Sequence, residues 1–60
     1  MTLVKDIMRF ELDMENGVVS QYVTLPTTGE EVLKNRKVVG PEKIENYVFT
    51  LEMMGCKKVD

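Results

Sequence analysis

The side chains that could do chemistry begin with an acidic row on one segment. Glu11, Asp13 and Glu15 alternate with apolar residues, so their carboxylates would share one face of a strand, and Tyr22 on the next segment would join that face. Neighbouring carboxylates can perform acid–base catalysis, but only in a water-poor pocket that shifts a pKa, and an open strand face provides none. We therefore interpret these four residues as a partner-binding surface with Tyr22 as its aromatic anchor; the alternative is an ordinary solvated strand face.

Two further groups complete the inventory of reactive or charged side chains. Lys34, Arg36 and Lys37 form the one cluster that could contact phosphate, and the alternative is ordinary positive charge at a helix C-terminus. Cys56 is the only cysteine and the chain has no histidine, which excludes Ser–His and Cys–His nucleophile pairs and the usual zinc sites. No glycine-rich phosphate loop is present. We expect no catalytic residue, no metal ion and no cofactor.

Length and composition indicate a small folded domain that needs help to be stable. The 60 residues are 43% hydrophobic and 30% charged with a net charge of −2, and we expect a single domain over 1–60. A domain of this size buries only about 60% of its unfolded surface, so a partner subunit becomes the leading source of extra stability. No apolar run reaches the roughly 20 residues of a membrane span. With a lone thiol and no export signal, we expect a cytoplasmic protein.

The elements that must position these groups begin with a predicted β-hairpin. Apolar and charged residues alternate from Met8 to Glu15, and a segment rich in β-branched and aromatic residues follows Asn16-Gly17. Asn-Gly is the strongest short hairpin signal. We predict strands over about 6–15 and 18–25, joined by a two-residue turn that places Leu12 opposite Gln21 and makes Phe10 part of the core face.

The second half of the chain is predicted to be helical. Thr28 and Glu31 have the spacing of a capping box, which favours a short helix over about 28–36. Pro41 suits the first turn of a second helix, which we place over about 41–54 from apolar residues at helical spacing. The competing interpretation of 46–54 is a strand, because Tyr47-Val48-Phe49-Thr50 has high β-propensity. The predicted fold class is α+β, a hairpin followed by two helices.

The predicted C-terminal helix has a second apolar stripe, formed by Phe49, Met53 and Cys56. A two-stranded hairpin can cover only one side of this helix, so we expect the second stripe to be an oligomer interface, most simply of a homodimer. The alternative is that apolar residues at 38–39 or near the N-terminus cover the stripe within one chain.

Two functions remain open from the sequence. By elimination, we expect a small non-enzymatic module that regulates or inhibits a partner protein, of the kind that phages and other mobile elements often encode, with no membrane association. The alternative is a dimeric DNA-binding repressor in which Lys34, Arg36 and Lys37 contact the nucleic acid. The order of a strand at 22–25, a short helix and a helix opened by Gly40-Pro41 resembles the ribbon-helix-helix family, and the hairpin resembles swapped-hairpin regulators. The ribbon-helix-helix resemblance implies a strand from each subunit in the major groove.

Overall fold

The computed structural model describes residues 1–60 as one antiparallel sheet and one helix. Its elements are β1 (Thr2–Lys5), β2 (Met8–Asp13), β3 (Val18–Thr24), β4 (Glu31–Val38), α1 (Ile44–Met53) and β5 (Lys57–Lys58). The strand order across the five-stranded sheet is β4-β3-β2-β1-β5, so β4 and β5 form its two edges. The α+β class and the N-terminal hairpin are thus confirmed, whereas the chain has one helix and not the two that we predicted.

The hairpin of β2 and β3 pairs in a register two residues away from the predicted one. Leu12 lies opposite Val19, and Asp13 lies opposite Val18. The connection is therefore the four-residue loop 14–17 and not a two-residue turn. Asp13 sets this loop, because its carboxylate accepts hydrogen bonds from the backbone N–H groups of Glu15 and Asn16 and from the Asn16 side chain. A two-residue shift returns every side chain to the same face, so the predicted core face is preserved.

The segment predicted as a helix over 28–36 is strand β4, and that prediction was wrong. Thr28 accepts a hydrogen bond from the N–H of Glu30 at 3.2 Å, which makes a turn and not a helix cap. Gly29 has a φ of 77° and helps to reverse the chain between β3 and β4. Pairing with β3 satisfies the backbone groups of β4 that face β3, while a helix here would have had only two apolar side chains to bury. A bulge at Lys34 interrupts the pairing, since Gln21 lies opposite Asn35 and the next residue, Tyr22, lies opposite Leu33.

Helix α1 covers one face of the sheet, and the core lies between them. Seven buried side chains form it: Leu3, Phe10, Leu12, Val19, Ile44, Leu51 and Cys56. The helix confirms the interpretation of the C-terminal segment as helical, although it begins three residues later than predicted, after a turn over 41–43. Lys5 of β1 donates a hydrogen bond to the carbonyl of Met54 at 2.6 Å, a favourable position for a cation beside a helix C-terminus.

The other face of the sheet has no covering layer. No helix in the structure combines the length and the apolar character needed to cross a membrane.

Candidate protein-binding surface

The centre of the open sheet face is a closed network of polar groups around Arg9. Its guanidinium donates two hydrogen bonds to the Glu31 carboxylate, at 2.8 and 2.7 Å, and so joins β2 to β4 across β3. It also pairs with Glu11, which accepts a further hydrogen bond from the Thr2 hydroxyl at 2.7 Å. The Arg9 carbon Cζ lies 4.3 Å from the centroid of the Tyr22 ring.

The Arg9 network gives internal partners to Glu11 and Tyr22, two of the four residues of the predicted partner-binding surface. The hydrogen bonds from Arg9 lower the pKa of Glu31, and the same contact raises the pKa of Arg9. Glu11 and Tyr22 do lie on one face, as predicted, but Arg9 neutralises the first and stacks on the second. Both side chains are therefore positioned by Arg9.

The other two predicted contact residues lie at the start of the hairpin loop and within it: Asp13 is the last residue of β2, and Glu15 is in the loop 14–17. Asp13 is held by Asn16, whose side chain donates a 2.8 Å hydrogen bond that lowers the pKa of the Asp13 carboxyl. Glu15 is exposed within the loop itself. Glu11, Asp13 and Tyr22 thus lie on the open face of the sheet, where Arg9 contacts Glu11 and Tyr22, whereas Glu15 is exposed in the loop.

The predicted basic cluster lies on edge strand β4 and is divided between the two sheet faces. Arg36 lies opposite Ser20 on the open face, whereas Lys37 lies opposite the buried Val19, on the helix side. The Lys37 ammonium group lies 4.8 Å from the centroid of the Tyr47 ring on the helix. Lys34 occupies the bulge, between Leu33 and Asn35. The three cations therefore follow the edge of the sheet and do not form the single phosphate-facing patch that the DNA-binding alternative assumed.

A depression of about 230 Å³ lies on the open face beside the edge. It is lined by Glu11, Leu12, Asp13, Val18, Ser20 and Arg36. The two carboxylates already have partners, and Arg36 has no ion pair or side-chain hydrogen bond. Arg36 is therefore the cation of the depression, opposite the Glu11 carboxylate, which pairs with Arg9, and the Asp13 carboxylate, whose partners are all uncharged.

Strand β4 is exposed along its whole length, which no sequence signal had indicated. All eight of its residues are exposed, including Leu33 at 54% and Val38 at 76%. The bulge at Lys34 obscures the strand in the sequence, because the extra residue breaks the period of two: Val32 and Asn35, three positions apart, lie on the same face. The turn residues at 26–29, which separate β4 from β3, were the one available sign of a second hairpin.

The direction of the backbone groups in β4 follows from the hydrogen bonds that flank it. Leu25 N–H bonds to Glu30 C=O at 2.7 Å, and Val39 N–H bonds to Gly17 C=O at 2.8 Å. Hydrogen bonding alternates along an antiparallel pair, so these two bonds fix its phase on each side of the bulge. Val32, Asn35 and Lys37 turn their backbone groups toward β3. The residues that turn N–H and C=O toward the open edge are Glu31, Leu33, Arg36 and Val38.

The predicted oligomer interface is partly present at the surface of the helix. Phe49 is 63% exposed and Met53 is 75% exposed, so nothing within the chain covers them. Cys56 instead belongs to the core of the single chain and cannot be part of an interface on this surface. The residues just after the helix turn back to pair with β1, which carries Cys56 away from the helix face and under the sheet.

No family model, no curated protein and no solved structure matches this chain. No three side chains of the metal-binding types His, Cys, Asp or Glu come together in the structure. The surfaces that the fold leaves uncovered include the open edge of β4 and the exposed apolar residues of the helix.

Proposed function

We propose that this chain is a non-enzymatic protein-interaction module that binds an extended segment of a partner protein by adding it as a strand to β4. The observation that carries the proposal is the edge itself: eight exposed residues with a row of backbone donors and acceptors directed away from the sheet. Strand addition would satisfy those groups without disturbing the core. The module would serve as a regulator or inhibitor of its partner.

The other edge is a weaker candidate for the same role. Strand β5 has only two residues, both of them lysine, and so offers few backbone groups for pairing. Short, charged edge strands are a common protection against unwanted pairing. Strand β4 is the longest strand of the sheet, and its exposed apolar residues Leu33 and Val38 would contact alternate side chains of an added strand.

The test uses proline to remove one outward N–H group. Leu33 turns its N–H toward the open edge, so Leu33→Pro deletes a donor for an added strand while it leaves the pairing of β4 with β3 in place. Leu33→Thr is the matched control, because it loses the same apolar side chain and keeps the N–H. Peptides are first selected on the wild-type protein from a random-peptide phage display library, and each is then measured on both variants by fluorescence anisotropy.

We expect the selected peptides to bind Leu33→Thr, and to bind Leu33→Pro at least about tenfold more weakly than Leu33→Thr. The reason is that proline removes one main-chain hydrogen bond to the peptide and weakens the adjacent ones. Circular dichroism must show the wild-type fold in both variants. Peptides that bind Leu33→Pro as well as they bind Leu33→Thr would refute strand addition at β4, as would a selection that yields no binders.

A further inference from the structure

The edge strand carries a positive charge that the chain does not neutralise. Lys34, Arg36 and Lys37 have no ion pair in the structure. Glu31 is the only carboxylate on β4, and Arg9 already holds it with two hydrogen bonds. The edge is therefore strongly basic within a chain whose net charge is −2.

These cations lie on both sides of the position that an added strand would take. Arg36 is on the open face at the depression, and Lys37 is on the helix face beside Tyr47. Side chains of an added strand alternate between the same two faces. Acidic side chains on each face would come within reach of a cation, and opposite charges on neighbouring strands are stabilising.

A second copy of this chain is a poor occupant for the same edge. Antiparallel pairing of two β4 strands about a two-fold axis would bring the three cations of one copy close to the three of the other. Like charges on adjacent strands are destabilising, and the bulge at Lys34 further distorts the edge for self-pairing.

We infer that the partner segment is an acidic, extended peptide, with carboxylates that pair with Arg36 on the open face and with Lys34 and Lys37 along the rest of the edge. This inference rests on the proposed strand addition and specifies its ligand.

The test compares three synthetic peptides in which pairs of threonines alternate with pairs of glutamates, glutamines or lysines, so that both faces of an added strand carry the variable side chain. Threonine favours the extended conformation in all three, so the peptides differ mainly in charge. Binding is measured by fluorescence anisotropy at low salt and at raised salt. We expect the glutamate peptide to bind about tenfold more tightly than the glutamine peptide at low salt and to lose this advantage as salt is added.

A charge-reversed variant provides the second arm. The triple change Lys34→Glu, Arg36→Glu and Lys37→Glu should prefer the lysine peptide, and the double change Lys34→Gln with Arg36→Gln should reduce the preference for glutamate while it retains the cation beside Tyr47.

Equal binding of all three peptides by the wild-type protein, or a preference that survives charge reversal, would overturn the inference. If the peptides show no charge preference but Leu33→Pro still abolishes their binding, the acidic ligand is wrong and strand addition stands. Light scattering gives the outcome for a second copy of the chain. A dimer mass for the wild-type protein that falls to the mass of one chain in Leu33→Pro would identify a second copy as the occupant of the β4 edge, and so would overturn the inference.

Discussion

Gly17→Ala, which adds one carbon atom, should destabilise this fold through one specific backbone overlap. It is buried, has a φ of 70°, and ends the loop between β2 and β3. Its carbonyl accepts hydrogen bonds from the N–H groups of Val39, at 2.8 Å, and Gly40, at 3.1 Å. The segment that leads from β4 to the helix is thereby fixed against the hairpin loop. A Cβ built on Gly17 would overlap the Gly40 carbonyl group and the Pro41 nitrogen.

The cost of Gly17→Ala has two parts. An L-residue in the left-handed region costs about 1–2 kcal/mol, and the overlap with backbone forces a rearrangement worth about 1–3 kcal/mol more. Domains of this length have a free energy of unfolding of roughly 3–9 kcal/mol, so the sum of about 2–5 kcal/mol removes a large part of the stability. Each kcal/mol corresponds to about 4–8 °C in melting temperature.

Gly29→Ala is the matched control. Gly29 has a similar φ of 77°, but a Cβ there would meet no atom within 4 Å. The backbone cost and the change in unfolded-chain entropy should therefore be similar in the two variants, and their difference isolates the overlap with Gly40. We expect urea denaturation followed by circular dichroism to show Gly17→Ala less stable than Gly29→Ala by about 1–3 kcal/mol. Equal stability of the two variants would refute the close approach of the hairpin loop to the segment before the helix.

Three further outcomes test the core, the loop and the helix surface. Phe10→Ala should lower the free energy of unfolding by about 3–5 kcal/mol, because it leaves a cavity in the core, and a loss below about 1 kcal/mol in urea denaturation would show that the sheet faces are reversed. An NMR titration should give Asp13 a pKa below the usual aspartate value of about 3.9. The hydrogen bond from Asn16 therefore stabilises the loop above that pH, and this stabilisation is lost as the pH falls through the lowered pKa. Asn16→Ala should raise the pKa of Asp13, and an unchanged pKa would contradict the hydrogen bond. If the helix surface forms the expected homodimer, light scattering should give twice the 6.9 kDa of one chain, and Phe49→Asp should return it to the single-chain value; a wild-type mass of one chain at every concentration would refute the dimer.

The hairpin shows what alternation can and cannot predict. The period of two identified Phe10 and Leu12 as core residues and placed Arg9 and Tyr22 on the other face, and all of this holds. The register was wrong by two residues, because a shift of two keeps every side chain on its face and leaves the hydrophobic pattern unchanged. The hydrogen bonds of the Asp13 side chain favour the observed four-residue loop, whereas Asn16-Gly17 suggested a tighter turn than the one that forms.

The prediction of the helix over 28–36 failed for a tertiary reason. Charged residues at its start and end suited a helix dipole, but the chain gains more by pairing this segment with the free edge of β3. Glu31, predicted as part of a helix cap, instead binds Arg9 across the sheet. The candidate binding edge was consequently invisible from the sequence, since it consists of backbone groups and of a strand whose alternation is interrupted at Lys34. The exposed part of the predicted dimer surface, Phe49 and Met53, was placed correctly on the helix, while Cys56 was not.

The most direct test of strand addition is amide hydrogen exchange measured by NMR with and without a selected peptide. In the free protein, the N–H groups of Leu33 and Arg36 should exchange quickly, because they face solvent at the open edge, whereas that of Lys37 should be protected by its pairing with β3. Saturation with the peptide should slow exchange at Leu33 and Arg36 and change Lys37 little. Protection confined to other parts of the chain, with Leu33 and Arg36 still exchanging quickly in the complex, would contradict the account.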